Sequence, residues 1–149
     1  MTTVHRNGAI LLVLTAAGLL LAACGQAGAT GVAAPSVLAK NAAGYTDLSV
    51  EQLAAMLPNK SFTLINVHVP YAGEIPQTDL FIPHDEIASQ LERLPSKDTP
   101  IVLYCRSGSM STTAAAALAG LGYSNVMELD GGFNAWKEAG YDFLVKPQP

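Results

Sequence analysis

Cysteine is nearly absent: Cys24 and Cys105 are the two thiols in 149 residues. A framework of several disulfides is therefore excluded. Histidine is as thinly spread, and His68, His84 and one cysteine show no metal-ligand spacing, so no metal is expected. Charge is also sparse, with eight Lys and Arg against twelve Asp and Glu and a net charge of −4. That balance offers no basic face for nucleic acid. Neither charge blocks nor internal repeats occur. The one long apolar run, residues 9–21, is shorter than the roughly 20 residues a comfortable membrane span needs.

That run has a different meaning. It follows Arg6 and an N-terminus without acidic residues, and it ends in Leu21-Ala22-Ala23-Cys24-Gly25. Such an arrangement reads as an export signal over residues 1–23. The Leu-Ala-Ala-Cys tract resembles a bacterial lipobox, and the resemblance implies cleavage before Cys24, lipid on its sulfur, and anchoring of an extracytoplasmic protein to a membrane. Residues 24–44, rich in Gly and Ala with Pro35 and almost no charge, then read as a flexible linker. The domain proper is expected over residues 45–149, enough for one modest core. With Cys24 lipidated, Cys105 stands alone in an oxidising compartment, an unusual place for a reactive thiol that has no use.

Within the domain, Ser49 and Gln52 stand at the reciprocal positions of a capping box, ahead of Leu53, Met56 and Leu57 on one helical face, and Pro58 ends the helix. Residues 61–69 read as a buried strand broken by Pro70. An irregular stretch follows over 71–83, with a short strand near Leu80 and Phe81. The spacing of Ile87, Leu91 and Leu94 predicts a helix over 84–94, closed by Pro95. A strand is expected over 101–104, a helix over 109–121 with Gly122 as its stop, a strand over 126–129, a tight turn at Asp130-Gly131-Gly132, and a helix over 133–139. Strands alternating with helices imply an α/β fold with a mostly parallel central sheet flanked by helices on both faces. Ligand sites in such folds lie at the carboxyl ends of strands.

Cys105 sits at such an end. It is followed by Arg106-Ser107-Gly108-Ser109-Met110-Ser111, a small polar loop running into an alanine-rich helix. Unpartnered amides at a helix start favour an anion, so a loop wrapped around the sulfur favours a nucleophilic thiolate. Gly108 is free to take a positive φ, and Ser109 or Ser111 can donate a hydroxyl hydrogen bond or cap the helix. Arg106 is either a solvated charge or an anion-recruiting group. Met110 reads as a rim or packing residue, Phe133 and Trp136 as core, and His68 and Glu74 as scaffold or surface, with a place near the site entrance as the lesser alternative for His68.

Four segments resemble a single-domain rhodanese. Leu64-Ile65-Asn66-Val67-His68 resembles that family's Leu-Ile-Asp-Val-Arg strand, and Gly73-Glu74-Ile75-Pro76 its Gly-His-Ile-Pro turn. Cys105 to Ser111 resembles Cys-Arg-Ser-Gly-x-Arg-Ser, and Leu129 to Trp136 the closing Leu-x-Gly-Gly-x-x-Ala-Trp segment. The resemblance implies a sulfurtransferase in which Cys105 is the nucleophile, and residues 106–111 bind a small sulfur-containing anion or meet a protein persulfide, with no cofactor. Departures are Asn66 for aspartate, His68 for arginine, and Met110 for the loop's second basic residue. A cysteine-dependent phosphatase is rejected, because Ser111 stands where the phosphoryl-clamping arginine would be. A Cys-x-x-Cys redox site is rejected because position 108 is glycine. The competing expectation is a non-catalytic rhodanese-like module that binds an anion or an envelope protein.

Overall fold

The structure, a computed structural model, describes residues 38–149. The expected signal segment, the Cys24 lipidation site and the linker as far as residue 37 lie outside the described residues. Five strands, β1 (Thr46–Leu48), β2 (Thr63–Asn66), β3 (Leu80–Phe81), β4 (Ile101–Tyr104) and β5 (Val126–Leu129), form one sheet in the order β1-β5-β4-β2-β3. Every pairing is parallel, with Ile101 of the central β4 opposite Thr63 of β2 and Val126 of β5. Parallel strands need crossovers: α1 (Val50–Met56) lies in the one from β1 to β2 and α2 (Ser109–Gly120) in the one from β4 to β5, while α3 (Gly132–Glu138) follows β5.

Side-chain alternation along the strands separates two apolar layers. On one face Ile65, Val67, Ile101, Leu103, Cys105 and Val126 pack with Ala114, Ala115 and Leu118 of α2. On the other, Leu64, Val102, Tyr104 and Leu129 pack with Leu53 of α1 and with Phe133 and Trp136 of α3. The alanine run lets α2 lie close against β4 and β5, which brings its first turn to the end of β4. Glu128 is the exception on the α2 face, a carboxylate 1% exposed in a row of hydrocarbon.

The capping box forms with both of its bonds, Ser49 Oγ accepting from Gln52 N–H and Gln52 Oε1 accepting from Ser49 N–H. The predicted helices at α2 and α3 and the strands β2, β4 and β5 stand within a few residues of their expected limits. Two differences arise. Residues 84–94 form not a helix but two 3₁₀ turns, Ile87–Ser89 and Leu91–Arg93, because Gln90 between them leaves helical dihedrals (φ −118°, ψ 36°). The Ser89 hydroxyl donates to the Glu86 carbonyl at 2.8 Å, a local bond that competes with a continuous ladder. The other difference is β1, an edge strand unanticipated in sequence, whose three residues are too few to show a period.

Candidate active site

Strand β4 delivers Cys105 one residue past its end, at the carboxyl edge of the sheet. The chain then turns through Gly108, whose φ of +98° is open to glycine at little cost. This turn aims the Gly108 N–H back at the Cys105 Sγ at 3.2 Å, and the Ser111 hydroxyl, one turn into α2, lies 3.4 Å from the same sulfur. Two carbonyls of the loop are held the other way. Cys105 O accepts from Phe133 N–H at 2.9 Å and Arg106 O from Asn134 N–H at 3.0 Å. The first turn of α3 thus holds two carbonyls away from the sulfur, leaving donors directed toward it.

Such close approach requires glycine at the α3 entry. Gly132 has φ +56°, and a Cβ there would lie 2.3 Å from Cys105 O and 2.7 Å from the Arg106 carbonyl carbon. The Asp130-Gly131-Gly132 turn is therefore part of the cysteine loop's support as well as a chain reversal.

A cavity of about 220 Å³ opens above the sulfur, lined by His68, Cys105, Arg106, Ser107, Ser109 and Met110. Of the predicted site residues, Cys105, Arg106, Ser107, Ser109 and Met110 line this cavity, whereas Gly108 and Ser111 are buried and touch the sulfur from within. Cys105 itself is only 1% exposed. Arg106 is exposed, and its positive charge is felt at His68.

His68 was expected to be scaffold or surface, with the site entrance as the lesser alternative, and it is a cavity wall. It is buried, its ring packs edge-on to Phe133 at 5.3 Å, and its Nδ1 has no hydrogen-bond partner. Burial, then the charges of Arg106 and His84, hold it below the ordinary histidine range and favour its neutral form. Glu74 is scaffold: buried, it pairs with Lys146, accepts from the Tyr71 hydroxyl at 3.0 Å, and bridges backbone to backbone with Leu144.

Asn66 explains its own departure from aspartate. Its Nδ2 donates to Gly73 O at 2.9 Å while its Oδ1 accepts from His68 N–H at 3.0 Å. An ionised aspartate could make only the second bond, and no arginine at position 68 remains to neutralise it.

Glu128 escaped the sequence reading altogether. Its Oε1 accepts from Ser111 Oγ at 2.5 Å, directly beneath the loop. The inward parity of position 128 in the 126–129 strand was the available signal. Burial first, and the nearby Asp130 and Asp47 carboxylates after it, push the carboxyl up to about 7 against an opposing bond from Ser111. The three acidic groups lie within 4.8 Å of one another. A folded-state value above the ordinary 4.5 means that the folded protein holds this proton more tightly than the unfolded chain. Unfolding then releases a proton between pH 4.5 and 7, and stability falls as pH rises through that window, by about 3 kcal/mol in all. Denaturant titrations of Glu128→Gln and the parent at pH 4.5 and 8 are expected to show that loss in the parent and not in the variant.

These features define a parallel α/β domain presenting one buried cysteine in a loop of inward-pointing donors, with no second thiol among the described residues. Residues 49–139 match the rhodanese-like domain family. The chain is 34% identical over 106 residues to a protein named sulfurtransferase from Allochromatium vinosum, covering 68% of this chain and 96% of that one. It is 30% identical over 94 residues to thiosulfate sulfurtransferase GlpE of Tolumonas auensis, covering 62% and 89%. A rhodanese-related protein of Thermoplasma volcanium superposes with a TM-score of 0.60 at 25% identity, over 68% of this chain and all of that one. The chain belongs to the rhodanese-like domain family, among relatives that are sulfurtransferases.

Proposed function

We propose that this protein is a sulfurtransferase that carries sulfane sulfur as a Cys105 persulfide, taken from a small anionic donor such as thiosulfate. The observation that carries the reading is the pair of donors, Gly108 N–H and Ser111 O–H, converging on a sulfur at the floor of a small cavity. The Cys105 thiolate attacks the outer sulfur of thiosulfate; the sulfur–sulfur bond of the donor breaks and sulfite leaves with its electron pair. The persulfide anion inherits the same donors. An acceptor thiolate, or cyanide, then attacks the outer sulfur, and the Cys105 thiolate departs as it was. In our reading the domain is held outside the cytoplasm by lipid on Cys24, after removal of residues 1–23, and residues 24–44 give it reach from the membrane.

Intact-protein mass on reduced protein tests the chemistry, before and after brief thiosulfate exposure. The expected result is a gain of one sulfur atom, reversed by cyanide. No gain on folded protein with a free thiol overturns thiosulfate as the donor.

Met110 sets the donor preference. It lines the cavity at the position of the second arginine in the Cys-Arg-Ser-Gly-x-Arg-Ser pattern that this loop resembles, and Arg106 is the one Lys or Arg among the lining residues. Restoring charge with Met110→Arg is expected to raise the rate of thiosulfate uptake severalfold at low ionic strength, with the gain shrinking as salt screens it. Uptake rates at two salt concentrations check this. An unchanged rate would make Met110 a packing residue only.

A further inference from the structure

The Ser111 hydroxyl has one hydrogen and three acceptors around it. Glu128 Oε1 lies at 2.5 Å, Gly108 O at 3.0 Å and Cys105 Sγ at 3.4 Å. Ser111 and Glu128 are both buried, so no solvent settles the competition. The Gly108 carbonyl already accepts from Thr112 N–H at 2.8 Å and Thr112 Oγ1 at 2.7 Å. The contest is therefore between the sulfur and the carboxylate.

An ionised Glu128 is the stronger and nearer acceptor and takes the hydrogen. The sulfur then keeps one donor, Gly108 N–H, and gains a negative neighbour one side chain away. A protonated Glu128 reverses the arrangement. Its own O–H donates to Ser111 Oγ across the same 2.5 Å, and the Ser111 hydrogen is free to turn onto the sulfur. We propose that Glu128 is a positioning residue for Cys105: the presence or absence of its proton decides whether Ser111 donates to the sulfur or to the carboxylate. This rests on the reading of Cys105 as a reactive thiol, although not on which donor it uses. No bond to sulfur forms or breaks in the switch, and nothing is oxidised; one proton enters or leaves the carboxyl.

The surroundings favour the protonated form near neutrality. Facing Glu128 are Asp47 from β1 and Asp130 from the turn after β5, both acidic, with Cys105 on the far side of the Ser111 hydroxyl. The covering helix α2 carries no charged side chain, and among the described residues no cation pairs with Glu128. A carboxyl raised to about 7 thus changes state near neutrality. The consequence is a pH dependence opposite to that of simple thiol chemistry: support for the sulfur anion weakens as the pH climbs.

A double-mutant cycle on Ser111→Ala and Glu128→Gln tests the arrangement, read by the rate of Cys105 alkylation with iodoacetamide, a neutral reagent. A glutamine can donate to Ser111 as the protonated acid does, at every pH. Glu128→Gln is expected to match the parent below about pH 6 and to exceed it about threefold just above neutrality. The gain reflects the hydrogen bond regained by the sulfur anion, partly offset by the lower intrinsic nucleophilicity of a better-stabilised thiolate. In the Ser111→Ala background the same substitution should change the rate less than about twofold, because the intermediary is gone. An equal gain in both backgrounds overturns the proposal in favour of through-space charge, and no gain in either overturns it outright. A parent protein that is neither alkylated nor loaded with sulfur overturns the underlying reading instead. Thermal melts of all four proteins establish that each is folded.

Discussion

Cys105→Ser is expected to abolish sulfur uptake entirely, by at least about 10⁴-fold against the parent, while the protein melts within a few degrees of it. The size of the first effect follows from covalent catalysis: an alkoxide at a serine hydroxyl's ordinary acidity is scarcely populated at neutral pH, and no second thiol lies in the domain to replace it. The small size of the second follows from packing. Serine keeps an acceptor for Gly108 N–H and Ser111 O–H and removes little volume from a side chain flanked by loop backbone. Mass after thiosulfate exposure, together with thermal melting, checks both halves. The same variant separates the two functions the sequence permits. A binding module would retain its partner in Cys105→Ser, measured by titration with a trapped persulfide or anion, whereas a sulfur carrier loses its cargo. A variant that still gains sulfur places the chemistry elsewhere and ends the assignment.

Gly132→Ala is expected to be the most damaging single methyl in the domain. Two costs add. A non-glycine residue at φ +56° is strained by about 1–2 kcal/mol, and its Cβ would sit 2.3 Å from the Cys105 carbonyl oxygen, a backbone atom that cannot swing aside. Relief requires α3 to withdraw, which breaks the bonds from Phe133 and Asn134 N–H to the loop carbonyls. A loss of about 3 kcal/mol or more follows, a fall in Tm of more than about 10 °C for a domain this size. Function should suffer beyond stability. With the carbonyls released, the loop no longer holds its donors on the sulfur, so sulfur uptake should fall even at temperatures where the variant stays folded. Gly140→Ala offers the contrast, since it carries the strain of φ +85° with nothing within 4 Å of the added Cβ. Its cost should be the smaller of the two, and uptake should be unaffected. Equal losses in both would mean that the close approach to the loop has no energetic weight.

The parts of this molecule written in local chemistry were readable before any coordinates. Ser49 and Gln52 announce their capping box because both partners lie within one turn. The loop Cys105 to Ser111 announces its shape because Gly108 can adopt a φ that the other residues cannot easily reach. What stayed hidden depends on contacts far along the chain. Glu128 looks like a surface acid at the end of a short strand until α2 covers it and Ser111, seventeen positions earlier, reaches it. His68 reads as a lost arginine until the turn at Gly73 and the ring of Phe133 give it a wall to belong to. The 84–94 stretch misled for the opposite reason. Its apolar spacing is helical, but Ser89 and Gln90 divert the backbone into two separate turns, a choice made by side chains that the spacing ignores.

Burial of the Cys105 sulfur sets a size limit on what can meet it. With 1% of the residue exposed, the cavity bounded by His68, Arg106, Ser107, Ser109 and Met110 is the approach to it. Under the proposed chemistry the outer sulfur of a persulfide lies about 2 Å beyond the first. A reagent too bulky for the cavity is then expected to discriminate between the two forms, while a small one reaches both.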